Sequence, residues 1–114
     1  MRVTSALFVS ALVRRVFAAG AFAVILRKGA EEAGAILVMV DRLDGSADLY
    51  AQAPQTAFDE ERPTDRLFTR IEAGIDAERR AVRLASELRF DADLWVVEIE
   101  DRAGRPFLDL AREA

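Results

Sequence analysis

Residues Phe90 to Arg105 read Phe-Asp-Ala-Asp-Leu-Trp-Val-Val-Glu-Ile-Glu-Asp-Arg-Ala-Gly-Arg. Within them Leu94 to Asp101 alternates. Trp95, Val97 and Ile99 fall on one face, and Leu94, Val96, Glu98 and Glu100 on the other. A period of two in aromatic and β-branched residues is the signature of a half-buried strand. The first face is therefore assigned to the core, and the carboxylate end of the second to water. Asp91 and Asp93 punctuate the entry, and Asp101 to Pro106 carries turn residues at the exit. Phe107, Leu108 and Leu110 then either form a short returning strand or pack back on the core.

Upstream, Ala21–Arg27, Ala35–Arg42 and Ala47–Gln52 read as strands. The second is apolar without interruption from Ala35 to Val40, the mark of a central strand. Lys28 to Gly34 is a loop bounded by glycines, and Asp44-Gly45 is a hairpin turn, since such a turn needs positive φ angles. Three strands joined by short loops predict an antiparallel meander. Arg66–Ile71 is a candidate fourth strand, ended by Gly74. Asp76 caps a helix running to about Arg89, with Ala77, Ala81, Leu84, Ala85 and Leu88 as its apolar stripe. Ala53 to Thr69 is a long connection framed by Pro54 and Pro63, with Phe58 as its anchor on the core or, alternatively, as part of a binding loop.

The N-terminus has two readings that periodicity does not separate. One is a helix capped by Thr4 or Ser5 and stopped by Gly20. The other is a strand through Leu7–Val9 followed by a helix from Ser10. Ala6 to Val13 is apolar nearly all round, as expected of a segment that is deeply buried or covered by a partner. Arg14 and Arg15 interrupt it, and it falls far short of the roughly 20 residues a membrane span requires.

The expected fold is α+β. It is a single domain over residues 1–114, with a mainly antiparallel sheet of four or five strands and two helices packed on one face, in the order α-β-β-β-(β)-α-β.

Composition excludes several chemistries. The chain has no Cys and no His, so disulfides, thiolate nucleophiles, Ser-His or Cys-His dyads and imidazole metal ligands are impossible. Lys28 is the single lysine. A net charge of −4 argues against bulk binding of nucleic acid or anionic membrane. Neither a Walker-type nor a dinucleotide-binding glycine motif occurs. No catalytic, metal or cofactor residue is assigned.

Three groups of residues nevertheless invite chemistry. Glu98, Glu100 and Asp101 offer hard oxygen ligands, or simply a solvated strand face countered by Arg102 and Arg105. Asp41 or Asp44 followed by Asp48-Leu49-Tyr50 parallels, in topology only, the acids of restriction-endonuclease-like nucleases. The lysine those enzymes place on the next strand is missing, and Tyr50 is a poor substitute for it. Arg14, Arg15, Arg79, Arg80 and Arg83 offer a small-anion site, or solvated helix faces.

Gly20–Arg27, Glu31 to Ala35, Arg42 to Gly45 and above all the Phe90–Arg105 run resemble domain of unknown function family 1491, a group of short alphaproteobacterial proteins. The resemblance covers nearly the whole chain. It implies a bacterial, cytoplasmic, single-domain protein and carries no activity, cofactor or catalytic residue. The expectation for function is a small non-catalytic interaction or assembly domain, homo-oligomeric or bound to a protein partner. The alternatives are a metal-dependent phosphodiesterase and a small-anion-binding module.

Overall fold

The computed structural model describes residues 3–54 and 66–111 of the chain. Helix α1 spans Ser5–Ala18, and strands β1, β2 and β3 span Phe22–Arg27, Ile36–Asp41 and Ala47–Gln52. Strand β4 (Phe68–Ile75), helix α2 (Ala77–Phe90) and strand β5 (Trp95–Glu100) complete the order. The fold is α+β, as the periodicities predict, and the fourth strand is present.

The N-terminal segment is a helix from its first turn. The Thr4 side chain accepts a hydrogen bond from the amide of Leu7, and Gly20, at φ +85°, follows its end. Ser5, Val9, Leu12 and Val16 are its buried residues. Their spacing of four, three and four is a helical stripe, and it resolves the helix-or-strand ambiguity. The helix is not covered all round: Leu7 and Phe17 remain 60% and 50% exposed.

The five strands form one sheet in the order β1-β5-β2-β3-β4. Strands β2, β3 and β4 make an antiparallel meander. The β1-β2-β3 meander expected from short loops does not form. Strand β5 inserts between β1 and β2, antiparallel to the first and parallel to the second. The loop from Lys28 to Ala35 must therefore straddle the start of β5, and it is fastened there. Ala30 donates its amide to the Asp93 carbonyl (2.9 Å), Trp95 donates its amide to Ala35 (2.9 Å), and the Trp95 indole N–H donates to Ala30 (2.7 Å). A Cβ on Gly29 would lie 2.1 Å from the Asp93 carbonyl oxygen, and one on Gly34 2.5 Å from it. Only glycine permits that approach.

The helices do not share one face of the sheet. Val9, Leu12 and Val16 of α1 pack with Ile36, Val38, Val40, Trp95, Val97 and Ile99. Leu84 and Leu88 of α2 pack with Leu37, Met39, Leu49, Leu94 and Val96. Alternate residues of β2 and β5 thus meet different helices, so the helices lie on opposite faces. The uninterrupted apolar run of β2 is the sequence trace of this, because a strand buried on both sides does not alternate. Phe107 and Leu108 return to the α1-side core, and Leu110 makes a single parallel bridge to Phe68. Phe58 and most of its connection lie outside the described residues.

Candidate functional site

The acids that the sequence offers as chemistry are distributed by strand parity. Asp41, Glu98 and Glu100 project from the face that carries α2, where Asp41 and Glu100 are partners in the β2–β5 ladder. Asp48 pairs with Val40 and therefore belongs to the opposite face. The Asp41–Asp48 pair of the nuclease reading is split by the sheet, and Asp44 lies in the β2–β3 turn. Among the described residues no group of three acids, histidines or cysteines is placed to hold a metal ion.

Arginines meet these acids. Arg80 of α2 lies between two carboxylates, 3.3 Å from Glu98 and 3.7 Å from Asp41. Burial raises the Glu98 pKa above the usual carboxylate range. The Asp41 and Glu100 charges push the same way, and Arg80 opposes them. Glu72 of β4 accepts from Arg83 (2.8 Å) and Arg79 (2.9 Å), and these hydrogen bonds, that from Arg83 foremost, lower its pKa. Asp48 is fully buried. One of its oxygens accepts from Arg42 Nε and Nη2 (3.0 and 2.7 Å), and the other from the amide of Gly74 (2.8 Å).

Asp101 begins the turn after β5. It accepts from the Arg105 amide and guanidinium at 2.8 to 3.0 Å, and the Arg105 side chain holds its pKa down. Asp44 accepts from the hydroxyl and amide of Ser46, which lowers its pKa and closes the hairpin. In that turn the positive φ angles fall on Leu43 and on Gly45 of the Asp-Gly pair, and not on Asp44.

The arginines proposed to gather an anion are likewise divided. Arg14 and Arg15 lie on α1, and Arg15 donates to the Phe107 carbonyl (3.1 Å). Arg79, Arg80 and Arg83 lie across the sheet on α2, engaged with Glu72, Asp41 and Glu98. The solvated α2 face expected from sequence is thus partly turned inward. A cleft of about 270 Å³ beside this network is bordered by Asp41, Leu43, Ser46, Ile75, Asp76 and Arg80. Its charged lining residues are Arg80, Asp41 and Asp76.

Another surface went unnoticed in the sequence. Strand β1 forms one edge of the sheet. Ala23 and Ile25 turn to the α1-side core, while Phe22, Val24 and Leu26 are 47%, 36% and 50% exposed. Phe17 stacks edge-on against Phe22 at 5.4 Å between ring centres. The one charged residue of β1, Arg27, is committed to the carbonyls of Leu94 (2.7 Å) and Ala92 (2.8 Å). Phe-Ala-Val-Ile-Leu reads as continuous core when strand order is unknown, which is why its exposed half was missed.

No helix of the described residues is long and apolar enough to cross a membrane. No match is found among curated proteins. Among solved structures, the chain is similar to a protein from A. tumefaciens, solved in solution. That likeness has 48% identity and a TM-score of 0.85, and covers 100% of this chain and 98% of the other. It is also similar to a DUF1491 family protein from Caulobacter crescentus CB15. The crystal structure of that protein gives 37% identity, TM-score 0.78 and full coverage of both chains. Its NMR structure gives 36% identity, TM-score 0.79 and coverage of 100% and 99%. The family model described as a protein of unknown function matches residues 3–109, and the chain belongs to that family, DUF1491.

Proposed function

We propose that the protein is a small non-catalytic interaction domain of the bacterial cytoplasm, and that the open edge of β1 is its binding surface. The observation that carries this reading is the apolar side of that edge: Phe22, Val24 and Leu26 are exposed in a row on a strand that has a neighbouring strand on one side alone among the described residues. Edge strands in soluble proteins are ordinarily blunted by charge or cover, and an apolar edge left open is a template for another strand. The acid–arginine pairs fit the same reading, because each has a structural task. Asp48 joins β3 to β4, Asp101 closes the turn after β5, and Arg80 and Arg83 fasten α2 to the sheet.

A photo-crosslinking residue at position 24, compared with one at position 70 on β4, tests the reading in living cells of the source bacterium. Protein adducts from position 24 and few from position 70 are expected. No adducts, or equal yields from both positions, would contradict it.

A further inference from the structure

Resting on that reading, we infer that the partner of β1 is a second copy of the same chain. The two β1 strands pair antiparallel about a twofold axis through Ala23, joining two five-stranded sheets into one of ten.

The register follows from the strand itself. Phe22, Ala23, Val24 and Ile25 pair in unbroken sequence with Glu100, Ile99, Glu98 and Val97, and the ladder is then interrupted between Ile25 and Arg27. Leu26 occupies that bulge, so regular backbone for a new neighbour ends at Ile25. Residues directly opposed across an antiparallel ladder share a face of the sheet. A twofold pairing must therefore be centred on a residue rather than between residues. Centring on Val24 would draw the bulged Leu26 into the ladder. Centring on Ala23 uses only Ala21 to Ile25 and sets Phe22 of each copy against Val24 of the other.

Three observations favour a like partner. First, β1 offers no charge to its neighbour, since Arg27 is turned onto the Leu94 and Ala92 carbonyls. Two such edges meet without like-charge repulsion between them, and a charged foreign strand finds no counter-charge on β1. Second, the area is adequate. Phe17, Phe22, Val24 and Leu26 expose roughly 400 Å² of side chain per copy, a patch size that marks interaction sites. Covered in full by the pairing strand and its flanks, that patch would supply at most the apolar share of the ~800 Å² per partner in a standard interface. Third, the assembly closes. An isologous contact consumes both β1 edges and leaves only β4 at the ends. Part of β4 is already covered, with Phe68 donating to Asp109 (2.9 Å) and accepting from Ala111 (2.8 Å).

The chain contains no cysteine, so engineered thiols report without background. Phe22→Cys and Val24→Cys proteins are oxidised separately and as a mixture, and the native protein is sized by light scattering across concentration. The expected result is a dimer mass for the native protein and a disulfide dimer from the mixture alone. The mixed pair sits directly opposed, whereas each like pair lies diagonally at roughly 7–8 Å, beyond bridging reach. Val24→Lys is expected to yield a monomer with an unchanged far-ultraviolet spectrum and the melting temperature that the native protein shows once diluted to the monomer. A monomer mass at every concentration overturns the self-pairing, and a disulfide from Val24→Cys alone overturns the Ala23 axis. Adducts from position 24 to other proteins, with a monomer mass in vitro, would sink the self-pairing and leave the interaction reading standing. Failure of the crosslinker at position 24 would sink both.

Discussion

The sheet has two edges, and they are built to opposite specifications. Strand β4 carries Thr69, Arg70 and Glu72, and its ladder with β3 is broken by two register shifts. Glu72 is clamped by two arginines of α2. Strand β1 has one bulge at its far end, no free charge, and an exposed apolar row. Charges, bulges and cover are the devices by which proteins keep an edge from pairing. Strand β4 uses all three and β1 uses little of any, so the fold discourages contact at one end and leaves it open at the other.

The largest effect comes from unseating β1 altogether. Trp95 fills the α1-side core and ties the straddling loop to β5 through Ala30. Trp95→Ala is expected to lose about 3–5 kcal/mol in denaturant unfolding, and the contact surface with it. At the other edge Asp48→Ala orphans the Gly74 amide and releases Arg42. Because Arg42 is partly exposed, a loss of about 2 kcal/mol is expected rather than the cost of a wholly buried charge. Its sharper consequence is faster hydrogen exchange in β4, with β1 unaffected.

Exchanging the character of the edges leaves stability nearly alone. Val24→Lys removes association and changes the stability of the monomer itself by about 0.5 kcal/mol or less, whereas Arg70→Val leaves the native assembly intact and adds self-contact through β4, seen as mass beyond the dimer. The smallest effect is on acid tolerance. Hydrogen bonds from Arg83 and Arg79 depress the Glu72 pKa, so its stabilisation is complete above the ordinary carboxylate range and is lost as pH falls through the depressed value. Glu72→Gln should flatten that part of the acid limb in melting curves. Glu98 has the opposite sign. Its raised pKa means that its contribution is present at low pH and fades as pH rises through the folded value.

Much of this was legible in the chain. Thr4 and Asp76 cap their helices as their residue types predict, β3 occupies Ala47–Gln52 as read, and the two faces of β5 divide as the alternation requires. What the pattern could not give was adjacency. A period of two tells which side a residue faces, not which strand lies beside it, so β5 between β1 and β2 was invisible to it. A trace existed in Gly29 and Gly34, which bound a loop with no room for a side chain against Asp93. The acids misled for a related reason: Arg80 and Arg83 look solvated on a helical wheel until the sheet beneath supplies carboxylates. The N-terminal stripe of Ser5, Val9, Leu12 and Val16 was also present, but the run from Ala6 to Val13, apolar nearly all round, obscured it.

Hydrogen exchange followed as a function of protein concentration tests the contrast between the edges most directly. The outward-facing amides of Phe22–Ile25 should gain protection as concentration rises, while those of β4 stay constant. Protection that is independent of concentration along β1, or that grows along β4 instead, would contradict the account.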